Sequence, residues 1–189
     1  VKLIKKYFPD ERNFREIEDD DALIAYQQSD GGISIVPYAE SDIAVSAAAA
    51  AAAPGYFDKR ALSGYFYSVL KQAANDLERS QALLGLAALQ EPVLLQIKEQ
   101  LQDEDLAPEV RVNLARALVE LGDGAIAREL YSDLIKKYGQ DLGTNMRINV
   151  GRDQDEILQA TTQMAVLAAQ LNQPEKEKLY QYLLDNPGE

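Results

Sequence analysis

Cysteine, histidine and tryptophan are all absent from this chain of 189 residues. Without cysteine or histidine, the chain itself cannot build a zinc finger, an iron–sulfur cluster, a cysteine nucleophile or a Ser-His-Asp triad. Disulfides are impossible for the same reason, so cysteine usage does not indicate the redox compartment. These absences exclude much of the nucleophilic and transition-metal chemistry that proteins use.

Long apolar runs and an excess of positive charge are also missing. No stretch of about 18 consecutive apolar residues occurs, which argues against a transmembrane helix. The 31 acidic residues outnumber the 19 basic ones, for a formal net charge of −12, and this disfavours nucleic acid and anionic lipid as partners. Residues 1–6 do not lead into the apolar core of a signal peptide. We expect a single helical domain over residues 1–189, taken from the interior of a larger protein.

The chain does contain a strong helical pattern. In residues 59–77, for example, Leu62, Tyr65, Phe66 and Val69 recur at the spacing of one apolar helix face. Short connectors of glycine, aspartate or proline separate such segments, as is typical between helices. The predicted helices cover residues 2–7, 22–28, 43–53, 59–77, 80–89, 92–101, 106–121, 125–138, 154–171 and 175–184.

Seven consecutive alanines occupy residues 47–53. Alanine has the highest helix propensity and a small side chain, so this run predicts a helix packed closely against its neighbours. Ser41 and Asp42 precede it as the predicted N-cap region. Pro54 and Gly55 end it.

Strands are nearly absent from the prediction. Residues 33–38 are predicted as a brief extended piece, which Pro37 keeps from being a central strand, and residues 139–151 as a loop or short extended excursion. The predicted fold class is therefore all-α, built from antiparallel helix pairs. Such pairs form either an open stack of the TPR or HEAT type or an α/α toroid. Residues 82–89 and 114–122 are loosely alike, but no fixed period extends to the other pairs, which disfavours the stack.

A more specific signal is the run Gln-Gln-Ser-Asp-Gly-Gly-Ile at residues 27–33, followed by Ser-Asp at Ser41 and Asp42. In this order the motifs resemble the thioester-containing domain of the alpha-2-macroglobulin and complement family, especially its bacterial members. In that family a helix ends in a Gln-x-x-Asp-Gly-Gly turn, and a Ser-Asp pair then opens an alanine-rich helix. The later helix pairs are also similar, so the resemblance covers about residues 20–186.

The resemblance implies part of an α/α toroid, the fold also found in terpenoid cyclases and prenyltransferases. It implies an extracellular, cell-surface or periplasmic protein whose partners are its own other domains, proteases or surface proteins. The family's reactive Cys-Gly-Glu-Gln thioester would lie upstream, and no position here carries it because the chain has no cysteine. The residues that carry over are structural turn residues, namely Asp30, Gly31, Gly32, Ser41 and Asp42.

Acidic clusters are the remaining candidates for chemistry. Residues 18–21 suit a Ca²⁺ ligand set or a helix N-terminus, and they lack the spacing of an EF-hand. Two further clusters precede predicted helices, where the helix dipole favours anions, although paired carboxylates also serve glycoside hydrolysis. These clusters are Asp103, Glu104 and Asp105, and Asp153, Asp155 and Glu156.

The prediction from sequence is a non-catalytic module without a metal or cofactor. Gly31 and Gly32 lack the lysine and the preceding strand of a phosphate loop. Tyr38, beside Pro37, is the tyrosine expected to be exposed. A carbohydrate-active fragment of an α/α barrel is one alternative, and a TPR- or HEAT-like scaffold is another.

Overall fold

The computed structural model describes residues 21–186. The chain divides into two compact units, the first ending at Asp103 and the second beginning at Glu104. Within the described residues there are eight α-helices of seven or more residues and one two-stranded sheet. The all-α prediction is therefore confirmed. No helix in this part of the chain has the length and apolar character needed to cross a membrane.

Unit 1 is helical wherever it has regular structure. Its helices pack around α4, which contacts α2 and α3 closely and α5 less extensively. The elements are α1 (Asp21–Ile24), α2 (Ile43–Ala52), a 3-10 turn (Pro54–Tyr56), α3 (Lys59–Gln72), α4 (Asp76–Ala88) and α5 (Leu94–Gln100).

Three polar side chains cap the N-termini of the main helices of unit 1. Asp42 accepts a hydrogen bond from the backbone N–H of Val45 and so caps α2. Asp58 caps α3 and Asn75 caps α4 in the same way. Each cap satisfies a backbone donor that a helix start leaves without a partner. The predicted N-cap region before α2 is therefore confirmed, with Asp42 as the capping residue.

The alanine-rich helix α2 lies against α4. Ala47, Ala50 and Ala51 are its buried alanines, and their small side chains allow the two helix backbones to approach. On α4, Gly85 leaves room for the ring of Phe66 from α3, because a Cβ at this position would lie 2.3 Å from that ring. Close helix packing in unit 1 thus depends on residues with little or no side chain.

Unit 2 is made of two helix pairs and a hairpin. Helix α6 packs against α7 and α8, α8 packs against α9, and strand β2 packs on both α8 and α9. The strands are antiparallel, and Gly139 pairs with Ile148. The elements are α6 (Pro108–Glu120), α7 (Gly124–Tyr138), β1 (Gly139–Asp141), β2 (Met146–Ile148), α8 (Gln154–Gln170) and α9 (Lys176–Asp185).

Two predicted boundaries between α3 and α4 are wrong. The prediction placed residues 73–77 in the first helix and began the second at residue 80. In the structure Asn75 accepts a hydrogen bond from the Glu78 N–H, and the Glu78 carboxylate accepts one from the Ala74 N–H. Reciprocal capping of this kind begins a new helix, so α4 starts earlier than the apolar pattern indicated.

The predicted helix over residues 22–28 is also too long. It ends at Ile24 because Gln27 pairs with Ile33 in an isolated antiparallel bridge. Residues 139–151, predicted as a loop or short extended excursion, contain the hairpin. The predicted helix over residues 2–7 lies outside the described residues.

Candidate protein-binding surface

The Asp-Gly-Gly turn of unit 1 is closed by its own aspartate. Asp30 Oδ1 accepts hydrogen bonds from the Gly32 N–H at 3.0 Å and from the Ser41 hydroxyl at 2.7 Å. The structure thus brings together Asp30 and Ser41, which sequence analysis singled out at separate places. Together these bonds hold both ends of the intervening loop near one carboxylate.

The two glycines of the turn are required by close contact with α3. Gly31 has a φ of +92°, a conformation that glycine adopts easily, and a Cβ here would lie 2.2 Å from the backbone oxygen of Ala61. A Cβ on Gly32 would lie 2.5 Å from the Cβ of Ser41 and 2.8 Å from the ring of Tyr65. The turn therefore lies directly on the first half of α3.

Gln27 fastens the turn to the start of α3. Its side-chain amide donates to the carbonyl oxygens of Gly31 and Asp58, and its Oε1 accepts from the Asp58 N–H at 2.8 Å. Gln27 belongs to the motif at residues 27–33, but the sequence predicted no role for it. No local signal indicated this role, because the Asp58 partner lies 31 residues away in the chain.

Ser46 fastens the other end of the loop. It is completely buried on α2, accepts a hydrogen bond from the Ile33 N–H at 2.8 Å, and donates to the carbonyl oxygen of Asp42 at 2.7 Å. The Asp42 N–H donates in turn to the Ile33 carbonyl at 2.9 Å. The sequence did not predict this role for Ser46, because a serine beside a run of alanines is typical of any closely packed helix.

The loop between these anchored ends exposes three large apolar side chains. Ile35, Val36 and Tyr38 are 69%, 57% and 95% exposed, which confirms the expectation that Tyr38 is exposed. Tyr38 has a φ of +68°, a conformation that costs most residues about 1–2 kcal/mol. We call the side chains of Ile35, Val36 and Tyr38 the apolar tip.

Beside the turn lies an open cleft of about 570 Å³. Three of its nine lining residues are acidic and none is lysine or arginine. The pKa of Tyr65 is raised, first by burial of its phenol and then by the nearby charge of Asp30, while a hydrogen bond with Ser46 acts in the opposite direction. We call this space the acidic cleft; its lining residues are Asp30, Ser41, Asp42, Ile43, Tyr65, Ser68, Val69, Gln72 and Glu78.

Two carboxylates of the acidic cleft each have one oxygen that accepts no hydrogen bond from the described residues. Asp30 and Asp42 make their hydrogen bonds to the protein through Oδ1. Their Oδ2 atoms have no hydrogen-bond donor among residues 21–186. Glu78, in contrast, uses both oxygens to cap α4. Among the described residues, two negatively charged acceptors therefore remain without a donor.

The other acidic clusters cap helix N-termini or lie outside the acidic cleft. Asp153 accepts from the Glu156 N–H and caps α8, while Glu156 accepts from the Arg152 N–H. Asp103, Glu104 and Asp105 lie in the segment before α6. Of residues 18–21, only Asp21 is described, and it begins α1. Across the described part of the chain, no group of three or more acidic side chains is close enough to hold a metal ion.

Comparison of the chain with models of protein families, with curated proteins and with solved structures finds no significant match. The turn, the apolar tip and the acidic cleft are therefore interpreted from their own geometry.

Proposed function

We propose that this chain is a non-catalytic helical domain that binds other domains of an alpha-macroglobulin-like protein, which is secreted or carried on the cell surface. In this proposal both compact units belong to one α/α toroid. The observation that carries the contact function is the apolar tip, since its three neighbouring apolar side chains are exposed on a loop whose two ends are firmly held.

The exposure of the apolar tip supports a protein partner. Single exposed apolar residues are normal on a protein surface, whereas adjacent large ones mark interaction sites. Tyrosine is also enriched in the cores of protein interfaces, because it buries a large area with little loss of side-chain freedom. A tyrosine that is 95% exposed in the free chain has most of its surface still to bury.

The anchoring of the loop supports a preformed surface. The Ser41 hydroxyl donates to Asp30 and the Ile33 N–H donates to Ser46, so two hydrogen bonds join the ends of the loop, and Gln27 joins the preceding turn to Asp58. A loop held in its bound conformation loses less entropy on binding than a free one. The positive φ of Tyr38 fits this interpretation, since strained backbone is often kept where it aims a side chain at a partner.

The test is a binding measurement between this chain and the rest of its parent protein, produced separately. The tip variant carries Ile35→Ser and Tyr38→Ser, and its control carries Leu95→Ser on α5, where an apolar side chain of similar exposure (68%) stands. We expect wild type and control to bind equally, and the tip variant to bind at least about tenfold more weakly, as loss of a tyrosine hot spot does. Equal binding by the tip variant, or no binding by wild type, would contradict the proposal.

A further inference from the structure

The acidic cleft and the apolar tip are carried by the same loop. The cleft takes Asp30 from the start of the loop and Ser41 and Asp42 from its end. The tip lies between these residues in the chain. A partner that covers the whole loop, from Asp30 to Asp42, therefore contacts both the tip and the cleft. Glu40, exposed and without a hydrogen-bond or ion-pair partner among the described residues, adds a negative charge between them.

The chemistry of the cleft selects for positive charge. Asp30 and Asp42 keep their Oδ2 acceptors, and no basic lining residue competes for them. A metal ion does not suit the site, because no three acidic side chains of the described residues converge on one point. Lysine and arginine side chains, which carry several donors on a long apolar stem, match separate carboxylates in an open cleft.

We propose that the partner surface recognised by this loop is a cationic and apolar protein segment, with lysine or arginine side chains in the acidic cleft and apolar side chains on the tip. This inference rests on the proposed function and adds the chemistry of the partner. Charge complementarity is its basis, because opposite charges across an interface provide specificity and faster association. The overall charge of −12 also attracts a cationic segment. The test must therefore distinguish its effect on binding from that of Asp30 and Asp42.

The experiment uses the 189-residue chain and a short peptide that alternates lysine with leucine. Control peptides carry glutamate in place of lysine, or serine in place of leucine. Binding is followed by NMR, with amide shifts expected in residues 30–42. We expect the lysine–leucine peptide to bind, the serine control to bind more weakly and the glutamate control not to bind. Equal binding of the lysine and glutamate peptides would overturn the inference.

Matched variants separate the cleft from the overall charge. Asp30→Asn and Asp42→Asn each remove one negative charge but keep the Oδ1 acceptor and, at Asp42, a good N-cap. Glu99→Gln removes one charge from an exposed position on α5. We expect each aspartate variant to weaken peptide binding about three- to tenfold, and Glu99→Gln to leave it unchanged.

Equal losses in all three variants would show that the peptide responds only to net charge, and the inference would fail. This outcome is distinct from failure of the proposed function. If the rest of the parent protein requires the apolar tip for binding but is indifferent to Asp30→Asn and Asp42→Asn, the contact function stands and the cationic partner does not.

Discussion

Replacing Gly31 by alanine is the sharpest test of how the turn is built. Alanine at a φ of +92° costs about 1–2 kcal/mol in backbone energy. Its Cβ would lie 2.2 Å from the Ala61 oxygen, and relieving such overpacking costs about 1–3 kcal/mol. The lower entropy of alanine in the unfolded chain offsets about 0.4–1 kcal/mol of this. We expect Gly31→Ala to destabilise unit 1 by about 2–4 kcal/mol.

The matched control is Gly64→Ala in the middle of α3. Gly64 is exposed, and a Cβ there meets nothing within 4 Å, so alanine should stabilise the helix by about 0.5–1 kcal/mol. Because the chain has two compact units, stability is best followed residue by residue through amide hydrogen exchange rather than through one spectroscopic average. We expect opposite changes from the two variants in the amides of α2, α3 and α4.

A Gly31→Ala variant as stable as wild type would refute the reasoning. It would mean that the turn does not lie on the Ala61 carbonyl, and the anchored loop described above would lose its main support. A loss of stability confined to residues 27–33 would instead show that the turn opens locally, while the helices behind it remain packed.

Three further substitutions have definite expected outcomes. Ser46→Ala leaves the buried Ile33 N–H without its hydrogen-bond partner and should lower the stability of unit 1 by about 1–3 kcal/mol. Faster hydrogen exchange of the Ile33 amide measures this loss. Burial and the charge of Glu175 raise the pKa of Tyr131. The protonated phenol therefore stabilises the fold fully below the ordinary tyrosine pKa of about 10, and this stabilisation is lost as the pH rises from there through the raised pKa of the folded state. The unfolding free energy of Tyr131→Phe should therefore fall less steeply above pH 10 in alkaline urea titrations than that of wild type. Gly122→Ala, at a φ of +84° with no atom within 4 Å of its Cβ, should destabilise unit 2 by about 1 kcal/mol from conformation alone, and a larger loss would indicate a contact that the structure lacks.

Helix content was predictable because its signals are local. The apolar spacing within α3, Pro108 in the first turn of α6 and the glycines and aspartates between helices all act within a few residues. Most predicted helices consequently agree with the structure to within one or two residues. The boundaries between α3 and α4 were wrong because the apolar pattern continues through residues where capping by Asn75 and Glu78 begins a new helix.

The turn was predictable in part. Asp30, Gly31 and Gly32 form a recognisable motif, and Ser41 and Asp42 stand out as a helix start. The contact between Asp30 and Ser41 depends on how the intervening loop folds back. Ser46 gives no local signal, since its hydrogen bonds reach Ile33, thirteen residues away.

The sequence by itself determined the helical class, the exclusion of cysteine and histidine chemistry, and the position of the Asp-Gly-Gly turn, because composition and local conformational preference decide these properties. Only the tertiary structure decided that Gly31 rests on Ala61, that Ile35, Val36 and Tyr38 remain exposed, and that Asp30 and Asp42 line one cleft. Those properties depend on which surfaces meet when helices pack, and residues far apart in the chain contribute to each of them.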